Sequence, residues 1–178
     1  MIPESGRKRD ILQLVAGKSL TYLILYSAVT AYILGVIPRI FNLPHIGNPA
    51  DLLIMGIPFL LATIFFSMTV SVFMRNRETG MVVFLFASLI LLFMSGFSWP
   101  QSNIGSFWLA VSSLFPSTHG IQAYIKINTM GASLSELKRE YTGLWLQAGL
   151  YFLTTVAGYF GQMNWLLKNK SIELHHLK

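Results

Sequence analysis

Residues able to carry out chemistry are scarce in this sequence. It contains no cysteine, which excludes disulfides, thiolate metal sites and a cysteine nucleophile. Four histidines are present, and the one adjacent pair, His175 and His176, has no third ligand at a spacing typical of a metal site. We therefore predict no metal site from these residues.

Four consecutive residues, Ala16, Gly17, Lys18 and Ser19, are similar to the end of a phosphate-binding loop. That motif needs a glycine five residues before its second glycine, and Leu12 occupies this position. The motif also follows a strand and opens a soluble helix, whereas a long apolar segment follows here. We therefore expect no bound nucleotide, and we expect the Lys18 side chain to extend towards anionic lipid headgroups.

His119 is the histidine with the most informative surroundings, because it follows Pro116, Ser117 and Thr118 after an apolar segment. The residues alone leave two interpretations open. The imidazole could bind a backbone carbonyl as a polar cap near the membrane interface, or it could take part in the function of the hairpin that contains it. In both cases we place His119 at the outer end of that hairpin.

The elements that position these residues are apolar helices. Of the 178 residues, 53% are hydrophobic and only 11% are charged. This composition exceeds what a soluble domain needs to fill one core, and it predicts an all-α integral membrane protein surrounded by the lipid bilayer. A transmembrane helix needs about 20 apolar residues to cover about 30 Å. Four segments without Asp, Glu, Lys or Arg meet this requirement roughly, namely 19–38, 52–74, 81–97 and 142–165.

The remaining segments are not expected to cross the bilayer. Residues 98–125 are uncharged but too short and too rich in Gly and Pro for another span, which favours a re-entrant or interfacial helical hairpin. Residues 1–17 combine a charge cluster with Ile11, Leu12, Leu14 and Val15, typical of an amphipathic surface helix. Residues 166–178 form a charged tail, so the whole chain, 1–178, is interpreted as one transmembrane domain.

The positive charges predict the orientation of the chain, since loops rich in Lys and Arg stay cytoplasmic. Nine of the 13 lie on the side that holds both termini: Arg7, Lys8, Arg9, Lys18, Arg75, Arg77, Lys168, Lys170 and Lys178. The other side holds four: Arg39, Lys126, Lys138 and Arg139. We therefore place both termini in the cytoplasm. The net charge of +6 is not read as a sign of nucleic-acid binding, because these residues stand at the ends of apolar runs.

Three stretches together resemble the membrane subunit of a type-two ABC exporter. They are ESGRKRDILQL before GKSL, LLFMSGFSWP, and LFPSTHGIQAYIKI. The order and spacing of these stretches are similar to the carboxyl-terminal half of the multidrug-type branch, which carries a large extracytoplasmic insertion. The resemblance covers nearly the whole chain and implies a multi-pass permease of a bacterial inner membrane.

The resemblance also implies roles for two segments. A coupling helix would fit a groove of a separate ATP-binding subunit through Glu4, Gly6, Arg7, Arg9, Asp10 and Leu12. A hairpin closing the outer gate would contain Gly96, Phe97, Pro100, Pro116, Thr118 and His119. ATP and Mg would be bound by the partner subunit, so this chain would hold no cofactor and no catalytic residue.

Several partners follow from the same resemblance. A second permease subunit, identical or different, would complete the pathway, and a membrane-fusion adaptor would extend it. A complete subunit of this kind begins with a first span, a large extracytoplasmic domain and a second span before the coupling helix, so the chain is expected to be a fragment or to pair with a polypeptide that supplies that half. The alternative is a small membrane scaffold or assembly protein without a translocation path.

Overall fold

The computed structural model of this protein describes residues 8–42, 46–74, 77–95 and 104–176. In these ranges the chain is helical with short connections, and no strand occurs, which confirms the all-α prediction. The helices are α1 Lys8–Ala31, α2 Ile37–Ile40, α3 Pro49–Phe73, α4 Arg77–Met94, α5 Ser106–Ser112, α6 Pro116–Met130 and α7 Lys138–His176. A π-helical turn at Tyr32–Val36 joins α1 to α2, and a 3-10 turn at Leu134–Leu137 precedes α7.

The first helical segment runs without a break from Lys8 to Ile40. It therefore passes straight through Gly17 and Lys18, where the sequence separated a surface helix from a span. The π-helical turn lies directly before Pro38. Proline has no N–H to donate and its ring crowds the carbonyl four residues earlier, so a locally widened turn accommodates it.

Helix α3 has a well-defined beginning. The Asn48 side chain accepts a hydrogen bond from the backbone N–H of Ala50 at 3.1 Å, Pro49 occupies the first turn, and Asp51 lies in that turn. These residues satisfy a free donor, preset the backbone angle and complement the helix dipole. The helix then continues as one element through Pro58 to Phe73.

Two helical stretches are long and apolar enough to cross a bilayer, by length and composition: Ile11–Ile40 and Pro49–Val72. They contain the predicted span 19–38 and all but the last two residues of the predicted span 52–74. The apolar stretch in α4, Gly80–Met94, is shorter. Helix α7 has 39 residues and extends into the predicted tail as far as His176, so it is about 58 Å long. The number of four membrane crossings therefore stays a prediction.

The core of the bundle is built around α3 and α7, which run side by side in the same direction. We call the end where α1 begins and α3 ends the amino-terminal end, and the end with residues 46–48 the opposite end. One apolar cluster lies towards the opposite end and contains Leu52, Met55, Ala62, Ala123, Ile127, Leu137, Leu144 and Ala148. A second cluster lies towards the amino-terminal end and contains Ile11, Val15, Ile64, Met68 and Met163.

Hydroxyl groups also join α3 to α7, next to the second cluster. The Thr69 hydroxyl lies 2.9 Å from that of Thr155 and 3.0 Å from that of Thr154. Thr155 is fully buried and also donates to the carbonyl of Phe65 at 3.1 Å. In a lipid environment such hydrogen bonds between helices add to close packing. They fix the register of α7 against α3.

Helix α4 contrasts with this core because nearly all its large apolar side chains are exposed. They are Met81, Val82, Val83, Phe84, Leu85, Phe86, Leu89, Ile90, Leu92 and Phe93. They surround the helix on most sides. A helix that is apolar all round is stable when lipid or another apolar surface covers it.

Candidate functional site

The uncharged segment after α4 folds into a helical hairpin. Helix α5 runs from Ser106 to Ser112, a turn follows, and α6 begins at Pro116, which stands in the first helical turn where its missing N–H is not needed. Three of the six residues predicted for the outer gate lie here, namely Pro116, Thr118 and His119. The other three, Gly96, Phe97 and Pro100, lie outside the described residues.

The turn between α5 and α6 reaches deep into the bundle. The rings of Phe66 on α3 and Phe115 in the turn stand 5.6 Å apart and edge to face. The Tyr151 hydroxyl on α7 donates a hydrogen bond to the carbonyl of Leu114. Because Phe66 lies past the midpoint of α3 when counted from Pro49, the hairpin tip extends more than halfway along that helix.

The Ser113 carbonyl is the polar centre of this tip. Gln147 on α7 donates to it from Nε2 at 2.6 Å, and the His119 Nε2 lies 3.2 Å from it. The last carbonyls of a helix have no partner inside the helix, so these two side chains satisfy an oxygen that α5 leaves free. The contact requires the Nε2 atom of His119 to carry the proton, a tautomer inferred from the hydrogen bond.

His119 therefore binds a backbone carbonyl, as in the first of the two interpretations. It is half-buried near the tip of the hairpin, and its position at the outer side of the membrane stays a prediction. Gly143 on α7 lies beside it, and a Cβ atom there would approach the His119 ring to 3.3 Å. The small residue leaves room for the imidazole between α6 and α7.

Three polar atoms near the tip have no hydrogen-bond partner among the residues described: Ser117 Oγ, Thr118 Oγ1 and Gln147 Oε1. Thr118 is 5% exposed and Gln147 is 6% exposed. A buried polar group without a partner costs about 1–3 kcal/mol. Such groups are uncommon in native proteins and typical of sites with a role beyond packing.

An ion pair holds the hairpin to α7 nearer the opposite end. The Lys126 Nζ lies 2.6 Å from the Glu140 Oε1, and Glu140 is 7% exposed. Burial alone raises the pKa of this carboxyl. The hydrogen bond from Lys126, a backbone hydrogen bond and the charges of Lys126 and His119 act in the other direction and leave the pKa below its ordinary value. Glu140 is therefore ionised at neutral pH.

The connection before α3 is fastened to the end of α6. The Ile46 N–H donates to the carbonyl of Asn128 at 3.4 Å, and Gly47 is buried directly against the carbonyl of Ile127. No other residue type allows this close approach, because a Cβ atom would overlap that carbonyl. Helix α6 ends at Gly131, whose φ of 67° is the left-handed conformation that favours glycine.

An apolar cavity of about 250 Å³ lies between α1, α3 and α6, beside the hairpin. Ile33 and Leu34 line it from the π-helical turn that follows α1, Met55 and Phe59 from α3, and Tyr124 from α6. The walls are almost entirely carbon, so the cavity suits an apolar group.

Three of the six predicted coupling residues, Arg9, Asp10 and Leu12, lie at the start of α1. Arg9 and Asp10 fall in its first turn, while Glu4, Gly6 and Arg7 lie outside the described residues. Leu12 is 46% exposed, whereas Ile11 is 2% exposed and Val15 is 0% exposed. The helix thus buries one face against α3 and α7 and leaves the Leu12 face uncovered.

Sequence reasoning missed the amides and the ion pair. Gln122 donates to the carbonyl of Ser95 at 2.8 Å, and Gln162 donates to that of Val72 at 2.9 Å, in addition to the contact of Gln147. All three amides stand in uncharged stretches. That was the available signal, because an amide in an apolar helix needs a hydrogen-bond partner on another element.

Among the described residues, no group of three or more His, Cys, Asp or Glu side chains is arranged to hold a metal ion. Helices of bilayer length and an exposed apolar α4 are the features of an integral membrane protein. The sequence model of the ABC-2 family transporter proteins matches residues 9–157. The chain belongs to the ABC-2 transporter family, and it is a permease component of an ABC transporter rather than an enzyme.

No curated protein matches the chain in a sequence search. No solved structure matches it either.

Proposed function

We propose that this chain is a permease component of an ATP-driven exporter in a bacterial inner membrane, with both termini in the cytoplasm. A separate ATP-binding subunit binds ATP and Mg and docks on the start of α1. A second permease subunit completes the translocation path. The proposal rests on the family and on one structural observation, the rigid connection between the start of α1 and the rest of the bundle.

That connection consists of two buried side chains. Ile11 and Val15 pack in one cluster with Ile64 and Met68 of α3 and Met163 of α7. The helix between them and the first apolar stretch is unbroken. A displacement of the first turn of α1 by a docked subunit is therefore passed directly to α3 and α7, because packed interiors do not deform freely.

The same two helices hold the hairpin tip. Phe66 of α3 packs against Phe115, and Gln147 and Tyr151 of α7 bind the carbonyls of Ser113 and Leu114. We propose that closure of two ATP-binding subunits shifts α1, and that α3 and α7 carry this shift to the hairpin, which opens or closes the outer gate. Such switching between discrete packings is the usual physical form of access change.

Charge reversal tests the docking. Arg7, Lys8 and Arg9 are replaced by Glu together in a tagged chain produced in its native host, and membrane extracts are purified through the tag. We expect loss of a co-purifying ATP-binding subunit, identified by mass spectrometry, while the amount of this chain in the membrane stays unchanged. Lys138→Glu with Arg139→Glu, at the start of α7, serves as the control and is expected to retain the subunit.

Unchanged recovery of the ATP-binding subunit with the triple variant would contradict docking on α1. Recovery of no ATP-binding subunit even with the wild-type chain would favour the scaffold alternative. The exposed Leu12 offers a finer probe. Leu12→Asp is expected to weaken docking, whereas Gln13→Asp, also exposed but one residue further on, is expected to have a smaller effect.

A further inference from the structure

A second cavity, of about 200 Å³, lies between α1, α3 and α7 near the amino-terminal end of the bundle. Unlike the apolar cavity beside the hairpin, it carries one cation and several hydroxyl groups. The polar side chains that line it are Lys18, Tyr22 and Tyr26 of α1, Ser67 and Ser71 of α3, and Tyr159 of α7. All of these groups can donate hydrogen bonds, and none is acidic.

Lys18 is held over the cavity. Its Nζ donates to the Tyr159 hydroxyl at 3.3 Å and stands 5.3 Å from the centre of the same ring. Among the described residues the one ion pair joins Lys126 to Glu140, so no described carboxylate neutralises Lys18. A positioned ammonium group with neighbouring hydroxyls and no acidic partner favours an anion.

The position of the cavity along α3 indicates its depth in the membrane. Ser71 and Ser67 lie two and six residues before the end of α3 at Phe73, or about 3 Å and 9 Å along its axis. Tyrosine and lysine side chains are enriched at this depth, where helices meet lipid headgroups. The cavity is therefore near the level of phosphate groups and not in the middle of the bilayer.

The surroundings of the cavity favour a lipid over a soluble ion. On α1 beside it, Leu20, Ile24 and Leu25 are large, apolar and exposed, and acyl chains would cover them in a membrane. A ligand with a phosphate and two acyl chains matches both surfaces. A free phosphate ion would use only the polar one.

We propose that this cavity binds the phosphate of an anionic phospholipid, with Lys18 as the cation and the hydroxyls of Tyr159, Ser67 and Ser71 as further donors. The inference depends on the chain lying in a bilayer, and it does not depend on ATP coupling or on the direction of transport. A lipid bound here would join α1, α3 and α7 at the amino-terminal end.

Lipid titration of the purified full-length chain in a neutral detergent tests the site. Native mass spectrometry measures the apparent dissociation constant for phosphatidylglycerol and for phosphatidylcholine. We expect tighter binding of phosphatidylglycerol to the wild-type chain. Lys18→Gln removes a charge-assisted hydrogen bond and is expected to weaken that binding about tenfold or more, whereas Lys18→Arg retains most of it.

Lys138→Gln is the matched control, because it removes one positive charge from the start of α7, far from the cavity. It is expected to leave phosphatidylglycerol binding unchanged. The double variant Ser67→Ala with Ser71→Ala keeps all charges, changes two exposed side chains and is expected to weaken binding severalfold. Helical content by circular dichroism checks that each variant is folded.

Equal phosphatidylglycerol affinity of the wild-type chain and of both cavity variants, Lys18→Gln and the double serine variant, would overturn the site. A titration with inorganic phosphate separates the two sources of the anion. Two results together would overturn the lipid assignment and leave a site for a soluble anion. Inorganic phosphate would bind with the same dependence on Lys18, and the chain would not prefer phosphatidylglycerol over phosphatidylcholine.

Discussion

Gln147 on α7 donates a hydrogen bond to the Ser113 carbonyl at 2.6 Å, across 34 positions of sequence. Its amide oxygen lies buried without a partner among the described residues, so Gln147 is held by one end only. The contact attaches the tip of the hairpin to α7, whose threonine hydroxyls also form hydrogen bonds with α3. It is the interaction whose removal should affect the hairpin most directly.

Replacing Gln147 by Leu is therefore expected to loosen the hairpin tip. The Ser113 carbonyl would keep only His119 as a partner, and we expect a loss of about 1–2 kcal/mol in unfolding free energy. Thermal unfolding in detergent measures this loss. Asn164→Leu on the same helix, at an exposed position, is the matched control and is expected to change stability little.

Replacement by valine is expected to affect stability differently at two buried threonines. Thr155 bonds the Phe65 carbonyl and the Thr69 hydroxyl, so Thr155→Val should cost about 1 kcal/mol. The Thr118 hydroxyl is buried without a partner in the described part of the chain, so Thr118→Val should leave stability unchanged or raise it. Chemical denaturation of both variants under identical conditions gives the comparison.

A transport assay adds information on Thr118. If the unpaired hydroxyl serves the gate, Thr118→Val lowers transport while stability is preserved. A clear loss of stability in Thr118→Val would mean that the hydroxyl has a partner in the folded protein, contrary to the arrangement described here.

The pair of Lys126 and Glu140 predicts a pH dependence with a definite sign. Because the pKa of Glu140 in the folded state lies below its ordinary value of 4.5, its ionised form stabilises the fold. This contribution is complete above the ordinary pKa and is lost as the pH falls through the lower pKa of the folded state. The unfolding midpoint of the wild type should fall as the pH is lowered from 7 to about 3. This fall should be smaller in Glu140→Gln, which has no carboxyl to protonate.

Lys126→Met tests the same ion pair by removing its cation. It leaves Glu140 buried without its cation, so the variant should be less stable than the wild type at neutral pH. The difference should shrink as acid protonates the carboxyl. A difference that stays constant across this range would show that Lys126 contributes packing and not charge.

Among the glycines in the described ranges, Gly47 has the strictest requirement for a missing side chain. Gly47→Ala places a Cβ atom against the Ile127 carbonyl, and overpacking of this kind typically costs about 1–3 kcal/mol. Gly149→Ala on α7 is the control, because the space beside that glycine is open. It should stabilise the helix by about 0.5–1 kcal/mol, and thermal unfolding of both variants tests the contrast.

Much of the fold follows from local properties of the sequence. The uncharged stretches 19–38 and 52–74 predicted long apolar helices, because hydrophobic length is visible in consecutive residues. The resemblance of three short stretches to a type-two ABC exporter was confirmed at the level of the family. Neither the coupling residues from Glu4 to Leu12 nor the number of crossings has been tested, and both stay predictions.

The unbroken helix α1 shows that local sequence patterns do not always locate the boundaries of elements. No proline or turn sequence separates Val15 from Lys18, and a single glycine is tolerated inside a helix. The change from charged to apolar residues suggested a boundary between two elements. The helix continues across this position, because a change of composition does not by itself end a helix.

By itself, the sequence determined that this protein is helical and apolar and that its positive charges gather at particular ends, since each of these depends on neighbouring residues. Tertiary structure alone decided how deep the hairpin reaches, which carbonyl His119 binds and that Lys126 pairs with Glu140. The physical reason is that these contacts join helices far apart in sequence. Their distances depend on how side chains pack between helices, which no local pattern specifies.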